Sequence, residues 1–173
     1  MSGSNRRAFG WGALLSLVVA LGALSPAWAA DSPEKRGEYL VKFGGCSDCH
    51  TPGYFLGKLD ASRVLAGSDV GFEVPGLGTF LGPNLTPDDE TGLGKWTLEE
   101  IRTAIQEGKT PEGRMLAPVM PWHDFANLTK SDGLAIAAYL KSLKPIRNEV
   151  PGPFGPNEKA TTFVMRVVPP GAP

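Results

Sequence analysis

Apolar residues recur at helical spacing in three stretches of the chain, and each stretch carries start and stop signals. The first is Pro33 to Phe43, where Tyr39, Leu40 and Phe43 supply the apolar positions. Ser32 is placed as its cap, Pro33 suits the first turn, Glu34 complements the dipole, and Gly44-Gly45 ends the run. The second is Thr97 to Gln106. Thr97-Leu98-Glu99-Glu100 has capping-box spacing, Trp96 and Ile101 stand as a hydrophobic staple, and Gly108 closes the helix. The third runs from Lys130 to Leu143, with Thr129 and Asp132 as a similar box. Leu134, Ile136, Ala137, Tyr139, Leu140 and Leu143 form its buried stripe, and Pro145 stops it.

Between the first two helices the pattern changes. Phe72-Glu73-Val74 and Thr79-Phe80-Leu81 flank Pro75-Gly76-Leu77-Gly78, which predicts a small hairpin inside a long Gly- and Pro-rich loop. After Pro145 the chain is punctuated by Pro151-Gly152-Pro153 and Pro169-Pro170-Gly171, and it reads as a partly ordered extension, with a clasp on the domain or on a partner as the alternative. At the other end, Arg6 and Arg7 precede an uncharged apolar stretch from Trp11 to Leu24, then Pro26 and Ala27-Trp28-Ala29. That order reads as a secretory signal peptide cleaved after Ala29. The stretch falls short of the ~20 apolar residues of a membrane-spanning helix, which disfavours a retained anchor. The expected organisation is a leader over 1–29, one mostly α domain over 30–145, and an extension over 146–173.

Composition narrows the class. The 173 residues hold 22 glycines and 16 prolines, so turns and loops outweigh long regular elements. There are 17 basic and 18 acidic residues, and the leader would take two arginines with it. The exported chain is therefore mildly acidic, which gives nucleic acid or an anionic membrane no reason to bind it.

Both cysteines and one of the two histidines fall in a single pentapeptide, Cys46-Ser47-Asp48-Cys49-His50. Cys-x-x-Cys-His is the attachment signature of haem c. On one helical turn, residues three and four apart share a face, so two thioethers to the porphyrin and an imidazole on its iron can come from one short segment. One motif predicts one haem. A structural zinc site would need more Cys and His ligands than the chain groups together. A thioredoxin-like pair would need a βαβ frame that the flanks lack, and a plain disulfide loop is the remaining alternative.

The second axial position needs another donor. Met120, in Pro118-Val119-Met120-Pro121, is the favoured one, because the two prolines predict an extended strap that can lie across the distal face. Met115, His123 and Met165 are the alternatives, together with an open site. With both axial sites filled the expected role is electron transfer between redox proteins, not catalysis. An open site flanked by His123 and Asp124 would instead suit a haem enzyme or gas sensor. Gly45, Thr51, Pro52, Ala117, Pro118 and Val119 are the expected rim of the exposed haem edge, a modest apolar docking patch.

Residues 33 to 145 resemble the class I cytochrome c family, on the Cys46–His50 motif after an N-terminal helix, the late Met120, and a last helix carrying Ala138-Tyr139-Leu140. The resemblance implies that the first and last helices cross through Gly37 and Tyr139. It also implies that Pro83, in Gly82-Pro83-Asn84-Leu85, offers its carbonyl to the His50 imidazole, and that Trp96 touches a haem propionate. Asn84-Leu85-Thr86-Pro87-Asp88, Glu90 to Trp96 and Pro118 to Trp122 are similar to the cytochrome c subunits of bacterial periplasmic alcohol and sugar dehydrogenases. By that likeness the partners are redox proteins and the compartment is the periplasm.

Overall fold

The computed structural model describes residues 31–171, so the expected leader lies outside the described residues. In chain order the elements are α1 (Pro33–Phe43), α2 (Cys46–His50), β1 (Val70–Val74), β2 (Gly78–Leu81), α3 (Leu98–Glu107), α4 (Trp122–Phe125), α5 (Lys130–Ser142) and β3 (Phe163–Met165). The local signals act as expected at the helix starts. Ser32 caps α1 by accepting from Lys35 N at 3.3 Å. Thr97 and Glu100 form a reciprocal capping box on α3. Gly108, at φ +67, closes α3 in the left-handed region that glycine enters without strain.

The core lies where α1, α3 and α5 meet, around Leu40, Val41, Ile101, Ile136, Ala137 and Leu140. α1 crosses α5 at a glycine. A Cβ on Gly37 would fall 1.9 Å from the Ala135 carbonyl oxygen and 2.7 Å from Tyr139 Cβ, so the missing side chain sets how closely the helices approach. The same pair is bridged by Arg36 Nε on Asp132 Oδ1 at 2.8 Å. Thr129 caps α5 by accepting from Asp132 N at 3.1 Å, but the Asp132 carboxylate reaches across to α1. The expected reciprocal box is thus only half formed, because the guanidinium is the better partner for a carboxylate.

The domain is mixed rather than mostly α. β1 and β2 form the hairpin, antiparallel with Phe72 opposite Phe80, and β3 adds in parallel to β1, giving the order β2-β1-β3. The extension supplies this third strand. Upstream of it, Phe154 and Thr79 exchange backbone hydrogen bonds at 2.9 Å in both directions. A Cβ on Gly78 would sit 2.1 Å from the Phe154 carbonyl oxygen, so Gly78 lets the returning chain close on β2. Arg166 pairs with Glu73 at 2.6 Å across the same sheet. Residues 146–165 therefore clasp the domain. The partly ordered reading missed this because the ties are backbone groups and polar side chains, which leave no apolar pattern. Among the described residues, no helix is long and apolar enough to cross a membrane.

Candidate functional site

α2 is a single turn entered through Gly45, whose φ of +64 a side chain would strain. A Cβ there would also crowd the Asp48 carboxylate at 3.2 Å. The turn places Cys46, Cys49 and His50 together as two unbridged thiols and an imidazole. Cys46 packs against the core, and burial pushes its thiol up to about 11. Burial also raises Cys49, with the Asp48 charge adding to it. Both therefore stay protonated at neutral pH, which suits addition of S–H across a vinyl group better than thiolate ligation of a metal. Among the described residues, no group of three or more His, Cys, Asp or Glu side chains could hold a metal ion.

His50 is 5% exposed. Its Nδ1 lies 2.8 Å from the Pro83 carbonyl oxygen, an acceptor only, so Nδ1 carries the proton and Nε2 keeps its lone pair. Burial lowers its pKa and the bond to Pro83 partly opposes that, so the ring is neutral at pH 7. The loop reaches the ring through a glycine. A Cβ on Gly82 would stand 1.8 Å from the Cys49 carbonyl oxygen and 3.1 Å from His50 Nδ1. A second segment holds the backbone of the turn. Gly67 N donates to His50 O at 2.8 Å, Leu65 N to Thr51 Oγ1 at 3.0 Å, and Ser68 N to Gly82 O at 2.9 Å.

The distal candidates separate. Met120 is half-buried in a turn closed by its N–H on Ala117 O at 3.0 Å. The expected extended strap is thus a turn, since each proline fixes only its own φ and disfavours helix in the residue before it. From Met120 the chain enters α4, whose Phe125 ring edge and the Cys46 sulfur lie 3.7 and 3.9 Å from where a Gly44 Cβ would be. That contact brings α4 beside the attachment turn. Met115 is 54% exposed, and Met165 sits in β3 paired with Phe72. His123 is exposed and stacks on Trp122, ring centroids 3.4 Å apart.

Trp96 packs against the core cluster and borders a cleft with Asp89, Glu90 and Glu112. The Trp122 indole N–H, in contrast, is buried without a partner among the described residues. Sequence reasoning passed over that donor, although its place two residues after Met120 was a signal. The expected docking rim also shrinks. Thr51 and Pro52 are buried, held by the bonds from Leu65 N to Thr51 Oγ1 and from Asp60 N to Pro52 O at 2.9 Å, while Pro118 and Val119 are exposed.

The donor set fits a haem. Two neutral thiols one turn apart match its vinyl groups, a buried imidazole with Nε2 free matches its iron, and the unpaired indole N–H suits one of its carboxylates. No family model matches the chain. It is 35% identical over 141 residues to a nicotinate dehydrogenase component of Pseudomonas putida, a match covering 82% of this chain and 11% of that protein. It is 32% identical over 138 residues to the cytochrome c subunit of a quinone alcohol dehydrogenase of Gluconobacter oxydans, covering 78% of this chain and 27% of the subunit. A dihaem c-type cytochrome of Cereibacter sphaeroides is 33% identical over 110 residues, 64% of this chain and 36% of that protein. The chain thus spans about a tenth to about a third of the length of these relatives.

Proposed function

We propose, starting from a chain whose homologues are cytochrome c subunits of bacterial dehydrogenases, that this protein is a single-haem c-type cytochrome. It passes electrons between redox proteins in the periplasm, as a class I cytochrome c domain. Cys46 and Cys49 would hold the haem, His50 and Met120 would ligate its iron, and Pro83 fixes the plane and tautomer of the His50 ring. When bound, the haem supplies a reversible one-electron couple. Attachment would join each of the Cys46 and Cys49 sulfurs to one vinyl carbon and pass its hydrogen to the other, so no oxidant would be needed.

The observation that carries this reading is the buried His50 ring, bonded through Nδ1 to Pro83 O at 2.8 Å and one turn from two free thiols. The one attachment motif in this sequence supports a single haem, which would take electrons from one redox protein and give them to another. The haem-loaded protein should cycle reversibly between ferric and ferrous and bind no carbon monoxide at neutral pH. Rapid binding of carbon monoxide would instead favour an open distal site and the sensor or enzyme reading.

A further inference from the structure

Pro83 has no N–H, so nothing on that residue's own nitrogen can anchor the carbonyl that meets His50. Its position is held by its neighbours. Asn84 is 2% exposed, and its side chain is fully used. Nδ2 donates to Ile146 O at 2.7 Å and to Thr91 Oγ1 at 3.0 Å, while Oδ1 accepts from Thr86 N at 2.9 Å and Thr86 Oγ1 at 2.8 Å. The C-terminal segment completes the arrangement. Asn148 N donates to the same Thr91 Oγ1 at 3.0 Å, and Asn148 Nδ2 donates to Ala66 O at 2.7 Å. Ala66 precedes Gly67, whose N–H holds the His50 carbonyl. The segment after α5 thus grips both loops that touch His50, one on its ring and one on its backbone.

We infer that this clasp of Asn84, Thr91 and Asn148 is a positioning device that fixes the Pro83 carbonyl on His50 Nδ1 and so sets the reduction potential of the haem. The inference rests on the haem reading above. A firm bond at Nδ1 makes the imidazole a stronger donor and favours ferric iron, so loosening it moves the potential upward. A network anchored on the buried Asn84 and Thr86, with Thr91 and Asn148 half-buried around them, can hold such geometry because its members lose partners if the loop shifts.

The test uses the haem-loaded full chain. Asn148→Ala and Thr91→Val each remove ties of the clasp without touching His50, Pro83 or Met120. Both should speed solvent exchange of the His50 Nδ1 proton in the reduced protein about tenfold, the loss expected from one or two hydrogen bonds. Both should also raise the midpoint potential. Thr91→Ser, which keeps the hydroxyl, should restore both readouts. Glu73→Gln, which cuts only the sheet ion pair to Arg166, should leave them unchanged. If Asn148→Ala does not fold, Thr91→Val carries the same test. Haem-loaded variants with unchanged exchange and potential would overturn the clasp alone, whereas a wild-type chain that takes up no haem would overturn the reading beneath it.

Discussion

The His50 imidazole and the Pro83 carbonyl meet at 2.8 Å although 33 residues separate them in sequence. The contact decides the chemistry of the ring, because it commits Nδ1 to donation and leaves the lone pair of Nε2 free. It depends on Gly82, where the loop backbone passes so close to α2 that no side chain fits.

Gly82→Ala should therefore be costly. The added methyl would lie 1.8 Å from a carbonyl oxygen that belongs to the attachment turn, so the loop must move away. The expected loss is about 3 kcal/mol, the upper end of the usual overpacking range, with a raised potential in any folded haem-loaded fraction. Denaturant melts and potentiometry check this; a loss within experimental error would show that the loop yields freely.

At the α1–α5 crossing, Gly37→Ala should cost a similar amount, about 2–3 kcal/mol, since its Cβ would press on the Ala135 carbonyl oxygen. The site is remote from the Pro83 loop in sequence, so the His50 Nδ1 proton signal should persist in the folded protein. Stability and that resonance, measured together, separate packing of the core from support of the ring.

Acid should weaken the fold through carboxylates held below their ordinary range. Asp60 is lowered from 3.8 to about 2, first by the Ser62 hydroxyl and then by Arg63. Its unfolded form binds the proton more readily, so its contribution is complete above about pH 4 and fades as pH falls toward 2. Asp132, held down mainly by Arg36, acts in the same direction. Asp60→Asn should flatten the stability curve between about pH 4 and 2. An undiminished slope in that window would mean that Asp60 is not held down in the fold.

Met120→Ala should abolish the weak long-wavelength band of a methionine-ligated ferric haem and open the iron to carbon monoxide. Met115→Ala and Met165→Ala should leave the band in place. Survival of the band in the Met120 variant would pass the role to another donor.

Local physics made the helices readable. Ser32, Thr97 and Thr129 mark their starts, and Cys46–His50 forms the one helical turn its spacing suits, because capping and helical periodicity act within a few residues. Longer-range features were not readable in that way. β3 is three residues long and pairs in parallel with a strand about ninety residues earlier, so it has neither the length nor the turn that announces a hairpin. Asn148 finds Ala66 O through 82 residues of separation, and Asp132 is taken by Arg36 from its expected cap. Each of these is a choice between polar partners settled by tertiary approach. The buried Trp122 N–H belongs to the same class, since an unpaired donor is visible only once its surroundings are packed.

The proposed covalent bond between this turn and a porphyrin is tested most directly by weighing the chain after co-expression with haem-attachment machinery. One haem's mass added to the wild-type polypeptide, and none added when Cys46 and Cys49 are both replaced by serine, is the predicted result. A wild-type product with the mass of the bare polypeptide would contradict it.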